Sequence, residues 1–167
     1  MKKSILFTLV TLFIIAGCTQ QPKVKVTDID TSRKNITKVA DKYLNAWNTK
    51  NTDAIAELVT DDGMFFGTDP SELLDKTGLL AMCTQLFSDK TTNYNYNIIS
   101  RKIKLATDGN SALIIEYIDM DDWTPLLKMR QTYQIVKTTN DWKIDFIAWG
   151  FIAKNEEVEK LGKALQE

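Results

Sequence analysis

Residues 94–105 read YNYNIISRKIKL, and the fold depends on how the apolar side chains alternate along them. As far as Ile98, every second residue is aromatic or aliphatic, whereas from Ile99 onward the apolar residues fall on the opposite phase. A period of two predicts a β-strand, and a change of phase within one strand is typical of a β-bulge, which bends the strand. We therefore predict a bent strand at this position.

Three more strands are predicted after it, over residues 112–119, 125–137 and 142–151. Asp108-Gly109 is a two-residue hairpin turn, and Thr139-Asn140-Asp141 is a second polar turn between apolar stretches. Because such short connections join antiparallel neighbours, the four strands should form a meander.

Upstream of the strands, the apolar period is that of a helix. From residue 36 to residue 47 apolar side chains recur with helical spacing, which predicts an amphipathic helix that reaches Trp47. A shorter helix should follow Thr52, and a third should begin at Thr77. Helices at one end and a bent antiparallel sheet at the other predict an α+β fold, a cone-shaped barrel wrapped on the N-terminal helices around a hollow.

The first 17 residues have the pattern of a secretory signal. Two lysines precede 13 mostly apolar residues, whereas a helix that crosses a bilayer needs about 20. Small residues then stand directly before Cys18, which resembles the bacterial lipobox. The resemblance implies that residues 1–17 are a lipoprotein signal peptide and that Cys18 is acylated, with 18–30 as a tether to a membrane of the bacterial cell envelope. The alternative is an uncleaved anchor helix.

The composition excludes several classes of function. With 21 Lys and Arg against 22 Asp and Glu, the chain lacks the basic excess of a general nucleic-acid binder. It has no histidine, so it has no His metal ligand, imidazole base or Ser-His pair. If Cys18 is acylated, Cys83 remains alone and no internal disulfide can form. The acidic cluster at 119–122 lacks EF-hand spacing, and no metal or other cofactor is predicted.

Several short motifs resemble, in their order and spacing, the SnoaL-like domains of the nuclear-transport-factor-2-like superfamily. They are the helix ending in Trp47, the turn Asp61-Asp62-Gly63, and residues 66–70, 76–78, 108–112 and 142–144. The resemblance implies a cystatin-like cone with an apolar pocket over residues 31–153, commonly a homodimer through the outer face of the sheet. A charged C-terminal helix, 154–167, should follow.

That superfamily includes ketosteroid-isomerase-like and cyclase-like enzymes beside members that only bind. Catalytic members place Asp, His, Tyr or Glu in the pocket. Here the last strand has Ala148 and Gly150 where related domains often have His and Ser, so a binding domain is expected.

Glu116 is the acidic residue of an otherwise apolar inner row. Burying an unpaired carboxylate is costly, so several interpretations are open. Glu116 could be hydrogen-bonded to Tyr133 or Gln131, could point to solvent at the pocket mouth, could contact a ligand, or could serve as a catalytic acid or base.

The remaining candidate residues belong to the pocket, its rim and the outer face. The aromatic and apolar candidates for ligand binding, which could also be plain core, are Tyr43, Trp47, Phe65, Met129, Tyr133 and Phe146. Asp69 should lie at the rim, where it contacts the ligand or only caps its own turn. The last strand carries large apolar residues assigned to its outer face, for a dimer interface or for cover by the C-terminal helix: Ile147, Trp149 and Phe151.

The sequence leaves three hypotheses of function. The first is an envelope lipoprotein that binds a small apolar ligand without catalysis. The second is a small isomerase or lyase that uses Glu116 as acid or base. The third is a dimeric interaction module whose pocket is filled by its own side chains.

Overall fold

A computed structural model describes residues 28–120 and 122–166. The predicted signal peptide, the acylation site at Cys18 and most of the predicted tether lie outside the described residues. Within the described ranges, none of the helices is both long and apolar enough to cross a bilayer.

Three helices precede most of the sheet. Helix α1 spans Ile29–Asn48, α2 spans Thr52–Leu58 and α3 spans Lys76–Ser88. Each begins after an Asp or Asn whose side chain accepts a hydrogen bond from a backbone amide of the first turn. Helix α1 starts within the segment predicted as tether, because Asp28 caps a polar first turn that has no apolar periodicity to mark it.

In the part of the chain that the structure describes, six strands form one sheet. They are β1 Val59–Phe66, β2 Leu73–Leu74, β3 Asn97–Leu105, β4 Ser111–Asp119, β5 Lys128–Lys137 and β6 Trp142–Ile152. Their order is β2-β1-β6-β5-β4-β3, with β1 parallel to β6 and every other pair antiparallel. The α+β class is therefore confirmed. The sheet does not close into the predicted barrel, because β2 and β3 remain as its two edges.

The bend predicted in the first long strand is present. In the pairing of β3 with β4 the register shifts between Ile98 and Ser100, so Ile99 is the additional residue of a β-bulge. The phase change in the sequence therefore indicated a real irregularity of the backbone. The meander of β3, β4, β5 and β6 is confirmed as well.

A second bulge, in β6, was not predicted. Ile135 of β5 pairs with Ile144 while its neighbour Gln134 pairs with Phe146, so Asp145 is the additional residue. From there on, the alternation of β6 is reversed. Residues assigned to the outer face by simple alternation therefore lie on the inner face, the side of the sheet that packs against the helices.

This reversal corrects the predicted dimer interface. Ile147 pairs with Tyr133 and is fully buried in the core, while Trp149 pairs with Gln131 and packs against Trp47. Phe151 lies on the same side, beyond the core, where its ring contacts Trp123. None of the three lies on the outer face.

The same bulge moves Phe146 outward, so its predicted place in the pocket is wrong. Its ring contacts Phe66 of β1 on the outer face. Ala148 lies on that face too. The difference between Ala148 and the residue that related domains often have there therefore does not bear on the pocket.

The core lies between the helices and the inner face of the sheet. Its largest fully buried side chains are Tyr43, Tyr133, Phe65, Ile36, Ile55, Leu79, Ile114, Ile118, Met129, Ile135, Ile144 and Ile147. The C-terminal segment contributes nothing buried: a 3₁₀ turn at Asn155–Glu157 leads into α4, Val158–Ala164, whose residues are exposed. The domain is thus built from α1 to β6.

Candidate functional site

Glu116 lies at the centre of a buried polar network on the inner face. Strand β4 places it opposite Arg101 on β3 and Gln131 on β5. Its carboxylate accepts hydrogen bonds from Arg101 Nε, from the hydroxyl of Tyr133 at 2.9 Å and from Gln131 Nε2 at 2.9 Å. The structural interpretation with Tyr133 and Gln131 as partners is therefore confirmed, with Arg101 as a further partner.

Arg101 links this network to the surface. Its Nη1 donates to Asp41 on α1, whose side chain is largely exposed, while Nε holds Glu116. Burial alone would lower the pKa of the guanidinium, but the two carboxylates outweigh burial and raise the pKa of Arg101 above its ordinary value. The buried negative charge is thus balanced by a cation of the same sheet.

The phenols and the thiol around this network are held in their neutral forms. Burial, reinforced by the charge of Glu116, raises the pKa of Tyr133 and Tyr96 well above the ordinary phenol value. Burial likewise raises the pKa of Tyr43, whose hydroxyl has no hydrogen-bonding partner among the residues described. It also raises the pKa of the Cys83 thiol to about 12, which makes the thiolate inaccessible near neutral pH.

A cavity of about 90 Å³ lies at the other end of the inner face, between α1, α3 and the sheet. Its walls are aromatic, sulfur-containing and aliphatic, and its rim is polar. The lining residues are Trp47, Gly67, Thr68, Glu72, Met82, Leu86, Tyr94, Tyr96, Ile118, Met120, Trp123, Met129 and Trp149. Trp47 is 5% exposed and belongs to the floor, whereas Trp123 is 36% exposed and belongs to the mouth.

The polar atoms of the cavity walls are engaged inside the protein. Trp47 Nε1 donates to the carbonyl of Tyr94 at 2.8 Å, and Trp149 Nε1 donates to Gln131 Oε1 at 2.6 Å. The Tyr96 hydroxyl lies 3.4 Å from Gln131 Nε2. The indole rings, whose centroids lie 6.0 Å apart, are therefore fixed in place and offer the cavity their apolar surfaces.

One rim residue is acidic, and a glycine makes room for it. A Cβ atom at Gly67 would lie 1.8 Å from Glu72 Oε2 and 2.7 Å from Glu72 Cβ, so this close approach requires glycine. The backbone amide of Asp69 donates to Glu72 Oε2 at 3.0 Å, which holds the carboxylate over the loop. Glu72 is the charged residue among the cavity lining, and neither Lys nor Arg is part of that lining.

Only two of the predicted ligand-binding residues line the cavity, Trp47 and Met129. Tyr43, Phe65 and Tyr133 are fully buried core residues, and Glu116 lies in the polar network rather than in the cavity wall. Asp69 caps its own turn through hydrogen bonds from the backbone and hydroxyl of Ser71, which also lower the pKa of its carboxyl group. The capping interpretation of Asp69 is therefore the correct one.

Several lining residues were missed by sequence reasoning. Tyr94 and Tyr96 precede β3 in the quoted stretch, and their aromatic alternation was a usable signal. Trp123 and Met120 lie in the loop between β4 and β5, where no periodicity indicates which way a side chain points. Glu72 lies in a polar loop and is indistinguishable there from a solvated acid. Among the described residues, no group of three or more acids and cysteines has the geometry of a metal site.

Comparison with known proteins is consistent with this architecture. Residues 36–147, well over half of the chain, match the SnoaL-like domain family. The chain belongs to the SnoaL-like family. This SnoaL-like domain therefore extends from the middle of α1 into β6 and includes both the polar network and most of the cavity.

Solved structures resemble this SnoaL-like domain at low sequence identity, and they bear on the fold alone. An uncharacterized cystatin-like protein of Caulobacter vibrioides has a TM-score of 0.65 at 16% identity, over 78% of this chain and 95% of that one. A nuclear-transport-factor-2-like protein of Pseudomonas putida has a TM-score of 0.64 at 16% identity, over 76% and 91%. A candidate ketosteroid isomerase of Parabacteroides distasonis has a TM-score of 0.55 at 17% identity, over 70% and 85%. No sequence among curated proteins matches the chain.

Proposed function

We propose that this SnoaL-like domain binds a small, mostly apolar ligand in the aromatic cavity and acts as a binding domain rather than an enzyme. The observation that carries the proposal is the cavity itself, whose floor is made of Trp47, Trp149 and Met129. Concave sites lined by aromatic side chains with a few polar groups at one end are the usual form of ligand pockets. A module with a filled pocket would leave no such space.

The isomerase hypothesis finds little support in the geometry. A catalytic acid or base must reach the substrate with an unoccupied oxygen or proton. The Glu116 carboxylate is taken up by three donors, one of them a guanidinium, and it is not part of the cavity wall. These contacts favour a role for Glu116 in holding the sheet together.

Ligand binding can be tested by native mass spectrometry of the protein purified from its own cells. We expect an additional non-covalent mass on the wild type. Met82→Trp, which enlarges a half-buried lining residue of α3, should remove that mass because it fills the cavity. Met64→Trp is the matched control, since Met64 is 58% exposed on the outer face. Equal retention by both variants, or no retained mass on the wild type, contradicts the proposal.

We also propose that Cys18 carries a lipid anchor that holds this domain at a membrane of the bacterial cell envelope. The support is the short apolar run and the small residues before the cysteine. The wild type should carry an acyl mass on Cys18 and lack residues 1–17; Cys18→Ser should lose the acyl mass, whereas Cys83→Ser should keep it. A wild-type protein without the acyl mass would contradict the anchor.

Homodimer formation is a further part of the proposal, through the outer face of the sheet. Three apolar side chains of β4 alternate there, Leu113, Ile115 and Tyr117, each 38% exposed. Ile115→Glu should halve the mass measured by light scattering, because a charge in the centre of an apolar interface is strongly unfavourable. Leu126→Glu, at a fully exposed loop position, is the control. A monomeric wild type would contradict the dimer.

A further inference from the structure

The described lining of the cavity carries a negative charge and no positive charge. Among the described lining residues, Glu72 supplies a negative charge at the rim and no Lys or Arg supplies a positive one. Its Oε2 is held by the Asp69 amide, while no ion pair joins Glu72 to a described cation. An anionic ligand group would therefore meet repulsion at the mouth, whereas a cationic group would be attracted.

The aromatic walls also favour a ligand group with a positive charge. Five of the lining residues are aromatic: Trp47, Tyr94, Tyr96, Trp123 and Trp149. The faces of aromatic rings carry negative potential and attract cations within about 6 Å of the ring centre. Because the indole N–H groups of Trp47 and Trp149 are bound internally, the parts of these residues that border the cavity are ring atoms rather than free donors.

The size of the cavity limits what can enter it. At about 90 Å³ it is smaller than the cavity of roughly 150 Å³ that accommodates one benzene molecule. Because the cavity opens at a mouth beside Trp123 and Thr68, it can take up one end of a ligand while the remainder extends outward.

We propose that the ligand of this cavity is an organic cation with a methylated ammonium head group, held against the aromatic lining that includes Trp47, Trp149 and Trp123 and balanced by Glu72. The proposal rests on the ligand-binding function proposed above and specifies the chemical class of the ligand. Methyl groups match the apolar walls, and the positive charge matches both the ring faces and the acid at the rim.

Two probes of nearly equal shape separate charge from apolar fit. Choline carries a trimethylammonium group, and 3,3-dimethylbutan-1-ol is its uncharged carbon analogue. Titrations of the full chain, followed by tryptophan fluorescence and by calorimetry, should show choline binding at least about tenfold more tightly, since cation–π attraction is strongest in desolvated sites. Added salt should weaken choline binding and leave the alcohol unaffected, because salt screens the contribution of the rim charge.

The role of the acid is tested by Glu72→Gln. Glutamine keeps an oxygen that can accept from the Asp69 amide, so the loop is preserved while the charge is lost. We expect choline affinity to fall by about fivefold or more and affinity for the alcohol to stay constant. Glu57→Gln, an exposed acid of α2 outside the cavity, is the matched control.

The possible results separate this proposal from the one on which it rests. Equal affinity for the two probes, or an unchanged choline affinity in Glu72→Gln, overturns the cation proposal and leaves an apolar pocket. Binding of neither probe, while native mass spectrometry detects another retained ligand, also overturns the cation proposal alone. Binding of neither probe together with no retained ligand overturns both.

Discussion

On strand β5, Met129 and Tyr133 face the same side of the sheet with only Gln131 between them, yet their surroundings differ completely. Around Tyr133, every polar atom of Glu116 is paired and the side chains fill the space. Around Met129, aromatic surfaces border a cavity. Gln131 joins the two regions, because its nitrogen donates to Glu116 and its oxygen holds Trp149 in the cavity wall.

The difference separates a structural acid from a candidate binding site. A buried carboxylate that already has a guanidinium, a phenol and an amide as partners has little left to offer a ligand. When a ligand covers an apolar wall that has nothing packed against it, the burial of that apolar surface stabilises the complex. The network around Glu116 therefore stabilises the fold and orients Trp149, while the cavity is where binding is expected.

The largest expected effect is on the stability of the network. Glu116→Leu leaves Arg101 partly buried with only the exposed Asp41 as its partner, so the free energy of unfolding should fall by about 3–5 kcal/mol. Urea denaturation measures this change. Glu159→Leu on the exposed α4 is the control and should change it by less than about 0.5 kcal/mol. A small effect of Glu116→Leu would mean that the network is not a stabilising unit.

Two tyrosines of the core should respond differently to loss of the hydroxyl group. Tyr133→Phe removes a hydrogen bond to a buried charge and should cost about 1.5–3 kcal/mol of unfolding free energy. Tyr43→Phe removes a buried hydroxyl that has no described partner, so it should be neutral or stabilising by up to about 1 kcal/mol. Equal losses in the two variants, measured by thermal or urea unfolding, would contradict the contrast between a paired and an unpaired phenol.

Alkaline pH should lower the free energy of unfolding, because three buried tyrosines resist ionisation in the folded protein. The folded-state pKa values of Tyr43, Tyr96 and Tyr133 are raised, so the folded protein keeps protons that the unfolded chain releases above its phenol pKa. Their contribution is fully present below about pH 10 and is lost as pH rises above that value, at a rate that approaches about 1.4 kcal/mol per pH unit for each tyrosine once the unfolded phenol is ionised. Urea midpoints measured from pH 9 to pH 11 should fall accordingly, and Tyr43→Phe should make the fall less steep. A flat profile would contradict the burial of these phenols.

Substitution at the cavity mouth should affect stability less than substitution in the network around Glu116. Trp123 is 36% exposed and packs only against Tyr94 and Phe151 among the aromatic rings described. Trp123→Ala should therefore lower the free energy of unfolding by less than the roughly 3–5 kcal/mol that loss of a fully buried aromatic side chain costs, while it weakens ligand binding. A stability loss as large as that of Glu116→Leu would show that the mouth is part of the core.

Much of the fold could be read from local patterns. The amphipathic spacing predicted α1, the change of phase at Ile99 predicted the bulge in β3, and Asp108-Gly109 predicted a tight turn, in which Gly109 adopts a positive φ of 71°. Each of these signals is written in neighbouring residues. The burial of Glu116 with Tyr133 and Gln131 followed in the same way, from alternation along β4 and β5.

The bulge in β6 could not be read in this way. Before Asp145 the apolar residues Trp142 and Ile144 share one phase of the strand, but after it both phases carry large apolar residues, Phe146 beside Ile147. The alternation there gives no contrast, so it does not show where the strand reverses. The positions of Phe146, Ile147 and Trp149 were therefore assigned to the wrong faces. The pairing with β5 and the parallel contact with β1 decide the matter, and both are contacts between distant parts of the chain.

What the sequence determined by itself is the class of the fold and the chemistry it excludes, because periodicity, turn residues and composition are local properties. The tertiary structure alone decided where the space remains and which groups surround it. A cavity is what packing leaves unfilled between α1, α3 and the sheet, and an acid such as Glu72 reaches its rim only because a loop folds tightly over Gly67. These properties depend on elements far apart in sequence, which no local pattern records.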